Sequence, residues 1–200
     1  MSASGRVPQG ERPSLGGQGL TARARRVRLL VMDVDGVLTD GRLGLSERGD
    51  EVKFFNAHDG VAVALARRAG LKTAFVTGET STVAKARGDK LGVDKVVLGA
   101  RRKGDVVESL LTELGLPAEA AAYVGDDLLD IPALERVGLA IAVADAVPEV
   151  RAAAHMVTRA AGGGAAVREA VERILKAQGV WRATIHAYIR EHGGSPERWR

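Results

Sequence analysis

The 200-residue chain contains no cysteine. That excludes a disulfide framework, a thiolate metal centre and a cysteine nucleophile, and it agrees with a reducing compartment. Aromatic residues are only 4% of the chain. None interleaves with the arginines near the N-terminus, which argues against a base-stacking nucleic-acid surface. No apolar run approaches the roughly 20 residues that span a bilayer, and the N-terminal stretch lacks the apolar centre of a secretory signal. The expected location is the cytoplasm, without membrane contact. Acidic residues are scarce at the start: Arg6, Arg12, Arg23, Arg25, Arg26 and Arg28 face Glu11 alone, a balance of +5 in a chain whose net charge is +4. Residues 1–26 therefore read as a flexible, solvated basic leader rich in Gly, Pro and Ser, in preference to a nucleic-acid-binding arm. The 46% hydrophobic and 27% charged fractions suit one soluble domain with a sizeable core.

The organising stretch is Val27 to Asp40. A mostly apolar, partly β-branched run ends in Asp33, Val34, Asp35 and Gly36, which reads as a buried parallel strand with two carboxylates at its carboxyl end. Residues 42–55 follow as two short apolar-bearing segments around Glu47-Arg48-Gly49-Asp50, a β-hairpin too small to be a second domain. Asp59 is a plausible N-cap for a helix closing at Gly70. Strands are expected at Lys72–Gly78, Lys95–Leu98, Ala121–Asp127, Leu139–Val143 and Met156–Thr158, and helices at 80–91, 101–115 and 132–137. After a flexible joint at Gly162-Gly163-Gly164, a helix carries Val167, Val171, Ile174 and Leu175. Domain limits are placed at 27–179, with 180–200 as a helical tail. The tail's stripe of Trp181, Ile185, Tyr188 and Ile189 suits a turn and a half of amphipathic helix packed on a neighbouring protomer. Strands alternating with helices imply an α/β parallel sheet with right-handed crossovers and helices on both faces.

In such a sheet the strand ends share one edge, where ligands bind. Asp33 and Asp35 would lie there with Thr77 and Gly78, with the basic start of a helix at Arg101, Arg102 and Lys103, and with Asp126, Asp127 and Asp130. This set suits phosphoryl transfer. A carboxylate attacks phosphorus, which splits one hard displacement into two. Clustered carboxylates need a cation, and hard oxygen ligands select Mg²⁺. A lysine and a hydroxyl hold the remaining phosphate oxygens. Either Asp126 or Asp127 could ligate, and Arg101 or Arg102 could compete with Lys103.

In order, Asp33-Val34-Asp35-Gly36-Val37-Leu38-Thr39-Asp40, Val76-Thr77-Gly78, Lys103 and Gly125-Asp126-Asp127-x-x-Asp130 resemble the four motifs of the haloacid dehalogenase superfamily. The resemblance implies a Rossmann-like fold with Asp33 as nucleophile and metal ligand. It implies Asp35 as acid and base and as a carbonyl ligand, Thr77, Gly78 and Lys103 as phosphate ligands, and Asp126 as a Mg²⁺ ligand. A narrower resemblance rests on Lys53-x-Phe55-Asn56-x-x-Asp59-Gly60, Tyr123-Val124-Gly125-Asp126-Asp127, Val143-Ala144-Asp145-Ala146 and Val157-Thr158-Arg159-x-x-Gly162-Gly163. These are similar to the 3-deoxy-D-manno-octulosonate 8-phosphate phosphatases. Those enzymes have a hairpin in place of a cap domain, act in lipopolysaccharide precursor synthesis and assemble as homotetramers. The substrate contacts implied are Asn56, Ala57, His58, Asp59, Gly60, Glu79, Arg87 and Lys90.

Two departures bear on the substrate. Glu79 and Ala64 stand where the octulosonate enzymes carry arginine, and Glu79 with Lys90 resembles the enzymes acting on the nine-carbon 2-keto-3-deoxynononate 9-phosphate. A receiver-like signalling domain would use similar groups, but it places its acidic pair before its phosphoacceptor, whereas here the Asp-x-Asp comes first. His58 reads as a loop or cap residue that the aspartate chemistry does not need.

Overall fold

A computed structural model describes residues 17–198. Helix α1 (Gly17–Arg26) leads into β1 (Leu29–Met32), the hairpin β2 (Gly44–Leu45) and β3 (Glu51–Val52), and then α2 (Ala57–Arg68) and β4 (Lys72–Val76). Next come α3 (Thr82–Leu91), β5 (Lys95–Val97), α4 (Lys103–Leu114), β6 (Ala121–Gly125) and α5 (Ile131–Leu134). The chain ends with β7 (Leu139–Ala142), α6 (Pro148–Ala153), β8 (Met156–Val157), α7 (Ala166–Ala177) and α8 (Trp181–Glu191).

Six parallel strands pair in the order β5-β4-β1-β6-β7-β8, with helices between them, and the hairpin is a separate two-stranded antiparallel unit. The α/β expectation holds, with the small hairpin where it was placed. Every residue of β1, β6 and β7 is buried, as strands covered on both faces require. Central β1 is in register with Leu29 beside Lys72 of β4 and Ala121 of β6. That register brings Asp33, Thr77 and Asp126 to one edge.

Several boundaries move. Asn56, not Asp59, caps α2: its Oδ1 accepts the His58 N–H at 2.8 Å. Gly70 does close the helix, at φ +89°. Helix α6 was not anticipated; Pro148 at its first turn is its start signal. The glycine joint is the reverse of flexible. A side chain on Gly162 would collide with the Gly36 carbonyl, and Gly163 N–H donates to the Val37 carbonyl at 3.0 Å. Absence of a Cβ serves close approach here, not mobility.

Both ends differ most. Of the expected leader, residues 1–16 lie outside the described residues, but 17–26 form a helix. Leu20, Ala24 and Val27 recur at helical spacing and pack into the core, while the arginines face outward or find carbonyls. Arg23 donates to the Gly138 carbonyl at 2.7 Å and Arg25 to that of Ala177 at 3.0 Å. At the other end, α8 is a three-turn helix, and Trp181, Ile185 and Tyr188, each half-buried, pack against the core of their own chain. The Arg168 guanidinium lies 4.8 Å from the Trp181 ring centroid, and Arg68 pairs with Glu191. Among the described residues no helix is long and apolar enough to cross a membrane.

If α1 belongs to the core, Ala24→Glu should lower unfolding free energy by about 2–3 kcal/mol, by burying an unpaired carboxylate. A solvated leader would leave it unchanged within about 0.5 kcal/mol. Urea denaturation measures the difference.

Candidate active site

Asp33 leaves β1 with its N–H held by the Val124 carbonyl at 3.0 Å, so the strand pairing itself aims the carboxylate. The loop after it is tied by Thr39, whose hydroxyl accepts from the N–H groups of Gly36 at 3.3 Å and Gly41 at 3.2 Å. Gly36 sits at φ +85°, and any Cβ there would overlap the Asp126 carboxylate. Only glycine allows the first and fourth motifs to meet so closely.

Carboxylate oxygens of Asp33, Asp126 and Asp130 all lie within 4.8 Å of one another. One buried ammonium serves them: Lys103 Nζ stands 2.9 Å from Asp33 Oδ1 and 2.7 Å from Asp130 Oδ1. Asp130 is saturated. Its Oδ1 also accepts the Tyr123 hydroxyl at 2.7 Å, and its Oδ2 accepts the N–H groups of Asp126 at 2.9 Å and Asp127 at 3.3 Å. Asp127 caps the turn that carries Asp130. Asp130 is thus a bracket, which leaves Asp33 and Asp126 facing the open space. Asp126 Oδ1 is buried with no hydrogen-bond partner. Arg102 pairs with Asp105 at 2.6 Å in solvent, so Lys103 is the cation that enters the cluster.

Crowding sets the protonation. Burial, then repulsion from Asp130, holds the Asp33 carboxyl well above the usual carboxylate range, against the pull of Lys103. The same two causes push Asp126 up to about 7. Burial alone would lower Lys103, but Asp33 and Asp130 outweigh it and raise it. A pocket that prefers protons on its acids is short of positive charge. Asp33 and Asp126 each offer a buried Oδ1 without a hydrogen-bond partner, although Lys103 stands near that of Asp33; such hard oxygen donors fit Mg²⁺, which takes one or two protein carboxylates.

Asp35 points to the other side. Its Oδ2 accepts the Thr77 hydroxyl at 3.3 Å, and its Oδ1 pairs with Lys53. Thr77 is buried at the end of β4 and also accepts the Glu79 N–H at 3.1 Å. Gly78 follows, half-buried beside Leu129.

The rim is mixed. Ala57 and His58 are exposed at the first turn of α2, Glu79 is exposed after β4, and Lys90 is exposed on the last turn of α3. Arg87 is seated 5.3 Å over the Phe55 ring and against Gly60, where a Cβ would fall 2.6 Å from its guanidinium. Gly60 is therefore a packing position. Asp59 does not reach the mouth, contrary to expectation. It is 1% exposed, and its Oδ1 accepts the Arg168 N–H at 2.8 Å, so it caps α7 from within the protein. Asn56 likewise holds structure, donating to the Gly163 carbonyl at 2.9 Å.

Sequence reasoning passed over Lys53 and Glu51 as site residues. The signal was available: in an extended segment, Glu51 and Lys53 share one face while Val52 and Phe54 share the other.

A haloacid dehalogenase-like hydrolase family model matches residues 95–171. The 3-deoxy-D-manno-octulosonate 8-phosphate phosphatase of Escherichia coli K12 is 42% identical over 158 residues, covering 79% of this chain and 84% of that protein. A phosphatase of this name from Moraxella catarrhalis was solved with a magnesium ion, a phosphate ion and the sugar acid. It superposes with TM-score 0.84 at 33% identity, over 86% of this chain and 99% of that one. A probable YrbI-family phosphatase from Pseudomonas syringae gives TM-score 0.84 at 44% identity, over 86% and 98%.

Burial raises Asp59 to about 6. An acid whose folded pKa exceeds its unfolded value, near 3.9, binds more protons folded than unfolded between those values. Its contribution to stability is therefore largest below about pH 4 and is lost as pH rises to about 6. Asp59→Asn should flatten that slope by about 1–3 kcal/mol, measured as unfolding free energy at a series of pH values.

Proposed function

Because this chain belongs to the 3-deoxy-D-manno-octulosonate 8-phosphate phosphatases of the haloacid dehalogenase-like hydrolases, we propose that it hydrolyses that phosphate ester to the free sugar acid and phosphate. Its cofactor in this reading is Mg²⁺, its place the cytoplasm, and its role the synthesis of a lipopolysaccharide precursor. The observation that carries the reading is the meeting of Asp33 and Asp126 around Lys103 at the carboxyl edge of the sheet.

Asp33, Asp126 and the Asp35 carbonyl would hold Mg²⁺, which supplies positive charge to the acids and the phosphate. Asp33 attacks phosphorus to form an aspartyl-phosphate while Asp35 gives its proton to the departing sugar oxygen. Asp35 then takes a proton from the water that hydrolyses the aspartyl-phosphate. Lys103, Thr77 and the backbone at Gly78 bind the phosphate oxygens.

One observation favours a second substrate. Glu79 stands exposed after β4 where the octulosonate enzymes carry arginine, and together with Lys90 it resembles the enzymes acting on the nine-carbon 9-phosphate. A homotetramer is part of the proposal. Its support is the hairpin's apolar outer face, with Leu45 72% and Phe54 78% exposed, larger exposures than an unpartnered surface favours. Arg87 and Lys90 complete the proposed substrate contacts, from this chain or across that interface.

Asp33→Asn should reduce phosphate release by about 10⁴-fold or more, and chelation should abolish it until Mg²⁺ is restored; full activity in the variant would refute the mechanism. Relative kcat/KM on the eight- and nine-carbon acid phosphates against hexose phosphates decides the substrate. Preference for a phosphate lacking a carboxylate would refute the sugar-acid reading.

A further inference from the structure

A chain of polar groups runs from helix α3 through the hairpin to Asp35. Ser81 caps α3, its hydroxyl oxygen accepting the Ala84 N–H at 3.1 Å, and its O–H is donated to Glu51. The other oxygen of Glu51 lies 2.8 Å from Lys53 Nζ, and Lys53 reaches Asp35 Oδ1. Thr77 holds Asp35 Oδ2. Both Asp35 oxygens are thus fixed, one from the sheet and one from the hairpin. The Lys53 side chain is fully buried, although it follows a two-residue strand whose other face is open to solvent. An ammonium is buried at such a cost only against close opposite charge, and Glu51 and Asp35 supply it from two different elements.

We propose that Lys53, anchored by Glu51 and Ser81, is a positioning residue that aims the Asp35 carboxyl at the leaving-group oxygen, so that the hairpin is part of the acid–base apparatus. This rests on the reading of Asp35 as the group that moves the proton. In the first half-reaction the bond from Asp33 to phosphorus forms, the bond from phosphorus to the sugar oxygen breaks, and the proton of Asp35 passes to that oxygen. In the second, water adds to phosphorus, returns a proton to Asp35 and releases Asp33. An alkoxide leaves poorly unless protonated, whereas nitrophenolate leaves unprotonated. Misplacing Asp35 therefore slows the first half-reaction of a sugar phosphate selectively, while its cost in the second half-reaction falls on both esters; kcat/KM, which ends at the aspartyl-phosphate, isolates the first, and general damage to the fold or to the phosphate pocket lowers it for both esters alike.

The test compares the full-length protein with its Lys53→Met, Lys53→Arg and Glu51→Gln variants on octulosonate 8-phosphate and on p-nitrophenyl phosphate, with kcat and KM measured separately. Lys53→Met should lose about 10²-fold in kcat/KM on the sugar phosphate and less than about fivefold on the nitrophenyl ester. Lys53→Arg should recover most of the loss, and Glu51→Gln should show the same selectivity in smaller measure. If Lys53→Met does not fold, the Glu51→Gln ratio decides. Equal losses of kcat/KM on the two esters, or an unchanged kcat/KM on the sugar phosphate, would overturn the proposal. A wild-type protein inactive on both esters would instead overturn the phosphatase reading on which it depends.

Discussion

Three carboxylates share a pocket from which water is largely excluded, and a single ammonium balances them. The rest of the site follows from that deficit of positive charge. Asp130 is made harmless by four donors, which remove it from competition as a ligand and turn it into a rigid post for Lys103. Tyr123 belongs to this solution: burial and then Asp130 raise its pKa, so the hydroxyl stays a donor. What remains unbalanced is Asp33 with Asp126, and the remaining negative charge is what draws a divalent cation and, through it, a phosphate. Asp33, the proposed nucleophile, is thereby kept close to, but not saturated by, Lys103.

Holding like charges together demands stiff surroundings. The loop carrying Asp33 and Asp35 is clamped on the inside by Thr39 and on the outside by the Gly162–Gly163 turn, whose approach leaves no room for a side chain. That turn is fixed in its own right. Asn56 holds Gly163, Asp145 accepts the Gly162 N–H at 2.8 Å, and Asp59 caps the helix that begins just beyond. Ala165, the only non-glycine with positive φ among the described residues, lies at that junction. The strain of about 1 kcal/mol or more at such a residue is tolerated because the contacts around it over-determine the path.

The fold and the phosphoryl-transfer set were legible because each depends on short-range order: apolar runs, then acids, at the ends of strands. Asp33, Thr77, Lys103 and Asp126 could be brought together by topology alone. The glycine turn, Asn56 and Asp59 were misjudged because their partners are about a hundred residues away, and a single sequence does not reveal which distant backbone a glycine must approach. Helix α1 was hidden by its arginines, since charge masked an apolar stripe as narrow as Leu20, Ala24 and Val27. In α8 periodicity defines a buried face without saying against what it is buried, and only the structure shows Trp181, Ile185 and Tyr188 against the core of their own chain. Lys53 stands in the quoted Lys53-x-Phe55-Asn56 motif, but its partners Glu51 and Asp35 lie on different elements, and the motif alone does not show which carboxylates a lysine meets.

Chemistry and selection are physically separated in this arrangement. Of the groups proposed to handle phosphorus, Asp33, Thr77 and Lys103 are buried and Asp35 and Asp126 half-buried, whereas Glu79, His58 and Lys90, proposed to select the substrate, are exposed. In water, two like charges at about 4 Å repel by only about 1 kcal/mol, so an exposed Glu79 alone can discriminate between two sugar acids by less than about tenfold. Stronger selection requires the rim to be covered, which lowers the local dielectric and magnifies each charge. Val52 and Phe54, on the apolar outer face of the hairpin, flank Lys53 in the chain. A partner seated there would therefore act on both functions at once: it would dry the rim where substrates are chosen and stiffen the strand that holds Asp35.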